Sequence, residues 1–338
     1  MPVRNEKACI ERSISSVLSQ DYPPDRIEVL IADGGSEDGT RELLDGLRQG
    51  QANLRIVDNP KRIVATALNA ALREAKGEVI VRVDGHCQIA PEYVRQCVAH
   101  LVHDQIEAVG GPVETVGESY VARVIAASMS SRFGVGGSAF RVANRRTQFT
   151  DTVAFPAYTR SVIDRAGAFD EELVRNQDDE YNYRLRKLGV RILLASDVRS
   201  RYFSRATLPG LWKQYFQYGY WKVRVMQKHP WQMQLRQFAP PMFVLALVMT
   251  LSLMPMVTPA GYFGVLFGAA YGLGIVTASA FAARKDGWIL LPLLPVAFAT
   301  LHVSYGLGFL IGLLRFWNRW GQSGNQPLPL AHITPGQL

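Results

Sequence analysis

From Phe238 to Ala283 the chain carries not one charged side chain. A water-facing fold cannot accommodate such a run, because a surface helix needs a polar face opposite its apolar stripe. The run and its continuation divide into three segments, 238–257, 261–283 and 288–314, each long enough to cross about 30 Å of hydrocarbon. We read them as transmembrane helices, followed by a tail at 315–338. Basic residues before the first segment and Arg284-Lys285 between the second and third put both on the cytoplasmic side by the positive-inside rule. Arg315 and Arg319 then fall on the other side, against the rule, so a re-entrant third segment that leaves the tail inside is an alternative.

Ahead of the apolar region, residues 206–237 combine Trp212, Tyr215, Phe216, Tyr218, Tyr220 and Trp221 with Lys213, Lys222, Arg224 and Lys228. That is the composition of an interfacial segment. Ser119 to Arg141, rich in Ala, Ser and Gly, has an apolar face that packs either on a membrane or, as the commoner arrangement, internally.

A formal charge of +8 over 338 residues suits nucleic acid, an anionic membrane or phosphorylated substrates. Because the basic residues concentrate beside the spans, the expectation is no nucleic-acid partner. Cys9, Cys87 and Cys97 form neither an even disulfide framework nor a zinc spacing. With no basic-then-apolar leader at the N-terminus, residues 1–205 are expected to remain in a reducing cytoplasm.

Residues 1–205 alternate helix and strand. Ile10, Ile14, Val17 and Leu18 fall at i, i+4, i+7 and i+8, the stripe of a helix facing a sheet. Ile27–Ala32 reads as a buried parallel strand with Asp33 at its carboxyl end. Leu54–Val57 with a helix over Ala65–Ala75 repeats the unit, and Val79–Val83 leads into Asp84-Gly85-His86. Such alternation predicts a doubly wound α/β sheet, whose ligands gather beyond the strand carboxyl ends. Only Met1-Pro2-Val3 precedes the polar Arg4-Asn5-Glu6, so the opening apolar strand of such a fold is expected to be clipped.

Four strings carry candidate chemistry. Asp33 to Thr40 sets a carboxylate, permissive glycines and small donors before a helix; taken alone it is as readily a capped turn. Asp84-Gly85-His86 offers two ligand side chains on either side of a glycine, able to hold a divalent ion that neutralises a diphosphate leaving group. Most such triplets are plain turns, and the histidine favours Mn2+ over Mg2+ without excluding Mg2+. Asn176-Gln177-Asp178-Asp179-Glu180 opens a helix over Tyr181–Leu188 with more acids than capping requires, so one of them is a candidate general base. Gln214, Gln217, Trp221 and Lys222 offer amide, indole and ammonium groups for an acceptor sugar or diphosphate, against simple anchoring as the plainer reading.

In this order the motifs resemble family 2 glycosyltransferases of the GT-A fold, especially the branch typified by succinoglycan-synthesis transferases, over Pro2 to about Arg224. The resemblance implies a Rossmann-like, mostly parallel nucleotide-diphospho-sugar transferase domain with C-terminal transmembrane helices. Pro2 to Glu6 would be the tail of the first nucleotide-binding strand, with Glu6 and Asp33 on the base and ribose, and with Pro2, Arg4, Arg62 and Asp84 on the nucleotide-sugar. Asp84 and His86 stand where the family has its D-x-D metal motif, with His86 replacing the second acid. Gln177-Asp178 stands at the E-D motif, making Asp178 the implied catalytic base and Asp179 the fallback. Gln217 to Trp221 is similar to the Q-x-x-R-W motif of processive members, but Tyr220 replaces the arginine, which argues for single-sugar addition.

The implied activity is inverting transfer of a sugar from a nucleotide-sugar, expected to be a UDP-sugar, to a lipid-linked polyprenyl-diphosphate acceptor. The implied setting is exopolysaccharide or cell-surface glycan synthesis, in a multi-pass protein of the inner or plasma membrane. A processive polysaccharide synthase and an inactive transferase-like scaffold, the latter suggested by His86 and Gln177, are the alternatives.

Overall fold

The computed structural model describes residues 1–142, 146–253 and 258–321. The chain divides into two compact units, one containing Met1–Glu114 and Ala143–Tyr202, the other Thr115–Val142 and Phe203–Gln322.

The first unit opens with β1 (Pro2–Val3), α1 (Ile10–Leu18), β2 (Val29–Asp33), α2 (Thr40–Arg48), β3 (Leu54–Asp58) and α3 (Val64–Glu74). β1, β2 and β3 are parallel, with Val3 opposite Asp33 and Asp33 opposite Asp58, so the first acidic motif sits at the carboxyl edge. Ile10, Ile14 and Val17 are buried as their spacing predicts, and β2 is buried throughout. The expected opening strand is present as two residues, beside a cavity of about 500 Å³ lined by Met1, Leu30, Leu72, Val81, Val94 and Tyr158 among others.

β4 (Val79–Val81), β5 (Cys87–Ile89), α4 (Tyr93–His103), β6 (Ala108–Gly111) and β7 (Val113–Val116) follow. The chain then enters the second unit through α5 (Tyr120–Met129) and α6 (Arg132–Val135) before returning with β8 (Gln148–Thr150), β9 (Ala154–Thr159), α7 (Arg160–Ala166), α8 (Gln177–Lys187), β10 (Ile192–Leu194) and β11 (Ser200–Phe203). A five-stranded sheet runs β4-β9-β6-β10-β8, in which β6 and β10 are parallel while β4 and β9 pair antiparallel. β5 pairs antiparallel with β11, bringing Cys87 opposite Tyr202 and the turn before it close to that strand.

An internal ion pair anchors α8. Arg184, in its last turn, donates from Nε and Nη2 to Glu180 and from Nη1 to the carbonyls of Ala166 (2.7 Å) and Ala168 (2.6 Å). Both partners are buried, and Tyr181 stacks on Phe169 at 4.2 Å, so the α7–α8 connection is pinned by charge and aromatic packing together.

In the second unit, α5 is packed internally, with seven buried residues between Ala122 and Met129. α9 (Leu208–Lys228), α10 (Ala239–Leu253), α11 (Thr258–Asp286) and α12 (Leu294–Arg315) complete it. α9 lies along α12 at backbone contact. A Cβ at Gly219 would stand 2.0 Å from the Tyr305 carbonyl oxygen, one at Gly308 2.1 Å from that of Phe216, and one at Gly312 2.7 Å from that of Tyr220. Gly308 and Gly312 are four residues apart, the small-x-x-x-small spacing that lets two helices approach closely.

Gly264–Asp286 and Leu294–Arg315, 23 and 22 residues long, are apolar enough to cross a membrane. α10 has 15 described residues, about 22 Å of helix. Residues 254–257 of the first expected span and 322–338 of the expected tail lie outside the described residues. The third expected segment begins as a 3-10 turn at Trp288–Leu290, and its α-helix starts only at Leu294 with Pro295 in the first turn. Within 206–237, Lys222 and Arg224 are 4% and 2% exposed, and the Arg224 guanidinium lies 5.9 Å over Phe316 while donating to Gln227.

Candidate active site

The first unit gathers its motifs through a chain of contacts. Asp33 closes β2 and is buried. Ser36 Oγ donates to its Oδ1 at 2.6 Å and Arg41 approaches Oδ2 at 3.5 Å. The loop turns at Gly35 (φ +67°) and Gly39 (φ +94°), conformations that glycine adopts without strain. Ser36 Oγ accepts from Asn5 N and Thr40 Oγ1 from Glu6 N, both at 2.9 Å, tying this loop to the segment after β1. Arg4 and Arg62 border the start of this loop: the Arg4 chain packs on Gly34, Arg62 on Gly35, and Arg4 Nη1 donates to the Arg62 carbonyl at 3.4 Å. Pro2 is buried in β1.

Glu6 then reaches the next motif, its Oε1 standing 2.9 Å from His86 Nδ1. Gly85 lies against it, since a Cβ there would be 3.2 Å from Glu6 Cγ, and Ser13 Oγ donates to the Gly85 carbonyl at 2.7 Å. Tyr202 meets the His86 ring edge-on at 5.2 Å. Asp84 is gripped bidentately by Arg82, Nε and Nη2 donating at 3.0 and 3.1 Å. Burial would raise the Asp84 carboxyl, but Arg82 and then His86 outweigh it and hold it below the ordinary carboxylate range.

Arg82 also faces the third motif. Burial disfavours its charge, yet Asp84 and Asp178 attract it strongly enough to raise its pKa. Asp178 lies in the first turn of α8, after Asn176 in the left-handed conformation (φ 63°), and its Oδ1 accepts from Asp179 N at 3.0 Å. Burial pushes the Asp178 carboxyl up, Arg82 pulls it back, Asp179 adds to the rise, and the net shift is upward. A carboxylate whose pKa is raised toward neutrality is a better proton acceptor for a hydroxyl. Glu180 is bonded to Arg184, and Gln177 is buried with its side-chain oxygen unpartnered among the described residues.

Asp33, Asp84, His86 and Asp178 are thus linked within one unit. Gln214, Gln217, Trp221 and Lys222 lie in the other unit, on α9. Gln214 and Lys222 are buried there, Gln214 donates to Tyr218 Oη at 2.9 Å, and Trp221 packs on Phe316. Sequence reasoning overlooked Arg82, Ser13 and Tyr202. The signal for Arg82 was visible as a lone cation inside the apolar run Val79 to Val83.

Residues 1–165 match the family model described as Glycosyl transferase family 2. The chain is also 30% identical over 331 residues to the succinoglycan biosynthesis protein ExoA of Rhizobium meliloti (strain 1021), covering 94% of this chain and 95% of that protein. The chain belongs to glycosyl transferase family 2. This family 2 enzyme is further similar to a dolichyl N-acetyl-alpha-D-glucosaminyl phosphate 3-beta-D-2,3-diacetamido-2,3-dideoxy-beta-D-glucuronosyltransferase of Methanococcus voltae, at 26% identity over 68% of this chain and 73% of that one. Its fold is that of the mannosyltransferase PcManGT from Pyrobaculum calidifontis in complex with GDP-Man and Mn2+, with TM-score 0.57, 22% identity, and 91% and 85% of the two chains covered. S. aureus TarS 1-349 in complex with UDP-GlcNAc shares it too, with TM-score 0.51, 16% identity, and 93% and 90% coverage. The GT-A fold expected from the motifs is therefore the fold of this family 2 glycosyltransferase.

A divalent cation suits the donor set found here. Among the described residues no three His, Cys, Asp or Glu side chains cluster as a closed cage. Asp84 and His86 instead present one carboxylate and one imidazole, and ions of the Mg2+ and Mn2+ type take few protein ligands and complete their shell with water and substrate phosphates. With His86 Nδ1 2.9 Å from Glu6 Oε1, Nε2 is the ring nitrogen that would meet such an ion.

Proposed function

We propose that this family 2 glycosyltransferase transfers one sugar, with inversion, from a UDP-sugar to a lipid-linked saccharide acceptor at a membrane, in exopolysaccharide or cell-surface glycan synthesis. The observation that carries the reading is the connected set Asp33, Glu6, His86, Asp84, Arg82 and Asp178 at the carboxyl edge of the sheets. Asp33 and the backbone of the loop after it meet the nucleoside, and Arg4 and Arg62 at the rim supply cations for the diphosphate. Asp84 and His86 would hold Mn2+ or Mg2+, which would supply positive charge to neutralise the departing nucleoside diphosphate. Asp178 accepts the proton of the acceptor hydroxyl as that oxygen attacks the anomeric carbon. Bond formation on the face opposite the leaving group inverts the centre.

Membrane insertion is supported by α11, whose Val265, Leu266, Leu273, Val276 and Phe281 are exposed large apolar side chains on a helix without charge before Arg284. Arg284 and Lys285 in its last turn favour a cytoplasmic position for that end. On α9, Gln214, Gln217, Trp221 and Lys222 remain the proposed acceptor-side residues, with Gln217 and Trp221 the more accessible.

The test is release of nucleoside diphosphate and transfer of labelled sugar by the full chain, with a panel of UDP-sugars and lipid-linked acceptors. EDTA should abolish transfer and Mn2+ restore it. Asp178→Asn should lower turnover by about 10²–10⁴-fold, with Asp179→Asn much milder. Unchanged turnover in Asp178→Asn would remove it as the base.

A further inference from the structure

We propose that Glu6 is a positioning residue for the divalent cation, holding the His86 imidazole through Nδ1 so that Nε2 is the ligand atom. The inference rests on the reading that Asp84 and His86 are the cation's protein ligands. Sequence placed Glu6 on the nucleotide, but its carboxylate oxygen stands 2.9 Å from His86 Nδ1, across 80 positions of chain. With Nδ1 engaged by the Glu6 carboxylate, Nε2 is the ring nitrogen left to face an ion. A carboxylate behind a ligating histidine fixes ring orientation and raises ligand basicity.

The rest of the local structure holds this pair in place. Glu6 N donates to Thr40 Oγ1 at 2.9 Å, and the Glu6 carbonyl accepts from Cys9 N and Ile10 N at 2.9 Å, so its backbone is fixed by α2 on one side and by the start of α1 on the other. Gly85 lies 3.2 Å, measured from where its Cβ would be, from Glu6 Cγ, and Ser13 clamps the Gly85 carbonyl. Tyr202 meets the imidazole edge-on at 5.2 Å. Both side chains are 21% exposed, enough shielding for their bond to persist and enough access for an ion to reach the ring. A surface ion pair that merely joined two loops would need none of this framing.

The experiment measures Mn2+ affinity of the full chain in detergent, with UDP saturating and without it, by the EPR signal of free Mn2+. Glu6→Ala should weaken Mn2+ binding by about 10–100-fold, and Glu6→Gln, which keeps an accepting oxygen on the same stem, should recover part of that loss. Glu6→Gln also keeps the test valid should Glu6→Ala fold poorly. His86→Ala and Asp84→Ala serve as reference. If they lose Mn2+ while both Glu6 variants bind like the parent, the positioning role is wrong and the ligand assignment stands. If His86→Ala and Asp84→Ala bind Mn2+ like the parent, the ligand assignment itself fails and takes the role of Glu6 with it.

Discussion

The two units are held by different physics. In the first, charge is brought indoors: Arg82 sits between Asp84 and Asp178, and Arg184 is buried with Glu180 and two carbonyls. In the second, α9 and α12 meet because Gly219, Gly308 and Gly312 lack side chains where the facing backbone passes. A buried ion pair is costly to desolvate and costlier to break, whereas a glycine seam depends on shape alone. The site belongs to the kind of interior that can shift pKa values, whereas α9 and α12, although they also enclose Lys222 and Arg224, owe their close approach to glycine shape.

This contrast can be broken most sharply at Arg184. Arg184→Met removes the guanidinium that neutralises buried Glu180, and thermal unfolding of the full chain should show a loss of about 3–5 kcal/mol. A near-neutral result would mean that charge is not what pins α8. The matching change in the second unit, Gly308→Val, forces Cβ into the Phe216 carbonyl and should cost about 1–3 kcal/mol by overpacking. Glycine-to-valine at Gly268, which has open space around it, is the control. The smallest effect sharpens the electrostatic half. Arg82 draws the Asp178 pKa down, so Arg82→Met should let it rise further. A base works deprotonated, so the acidic limb of kcat, measured at saturating donor and Mn2+, should move to higher pH. A shift to lower pH would contradict the assigned attraction.

Much of the first unit was legible because its elements obey simple periods. The stripe of Ile10, Ile14 and Val17 gave α1, and the apolar runs ending in Asp33 and Asp84 gave strand ends where ligands collect. The acids before Tyr181 did open a helix, although only the electrostatic pull of Arg82 singles out Asp178, while Glu180 is bonded to Arg184. What stayed hidden is tertiary pairing. Glu6 and His86 are 80 positions apart, and nothing local in either marks the other as its partner. On α9 the mixture of aromatic and basic residues resembles an interfacial belt, yet Lys222 and Arg224 turn inward. Composition gives the kind of surface a helix can have, but which face is covered depends on its neighbour α12. The Gly308-x-x-x-Gly312 spacing was the available signal for that neighbour.

The most direct test separates binding from chemistry. UDP titrated calorimetrically into the full chain with Mn2+ should lose its metal-dependent affinity in Asp84→Asn, while Asp178→Asn binds UDP as the parent does yet no longer transfers sugar. If Asp84→Asn bound UDP and Mn2+ normally, or if Asp178→Asn kept full transfer, the division of labour between the two carboxylates would be refuted.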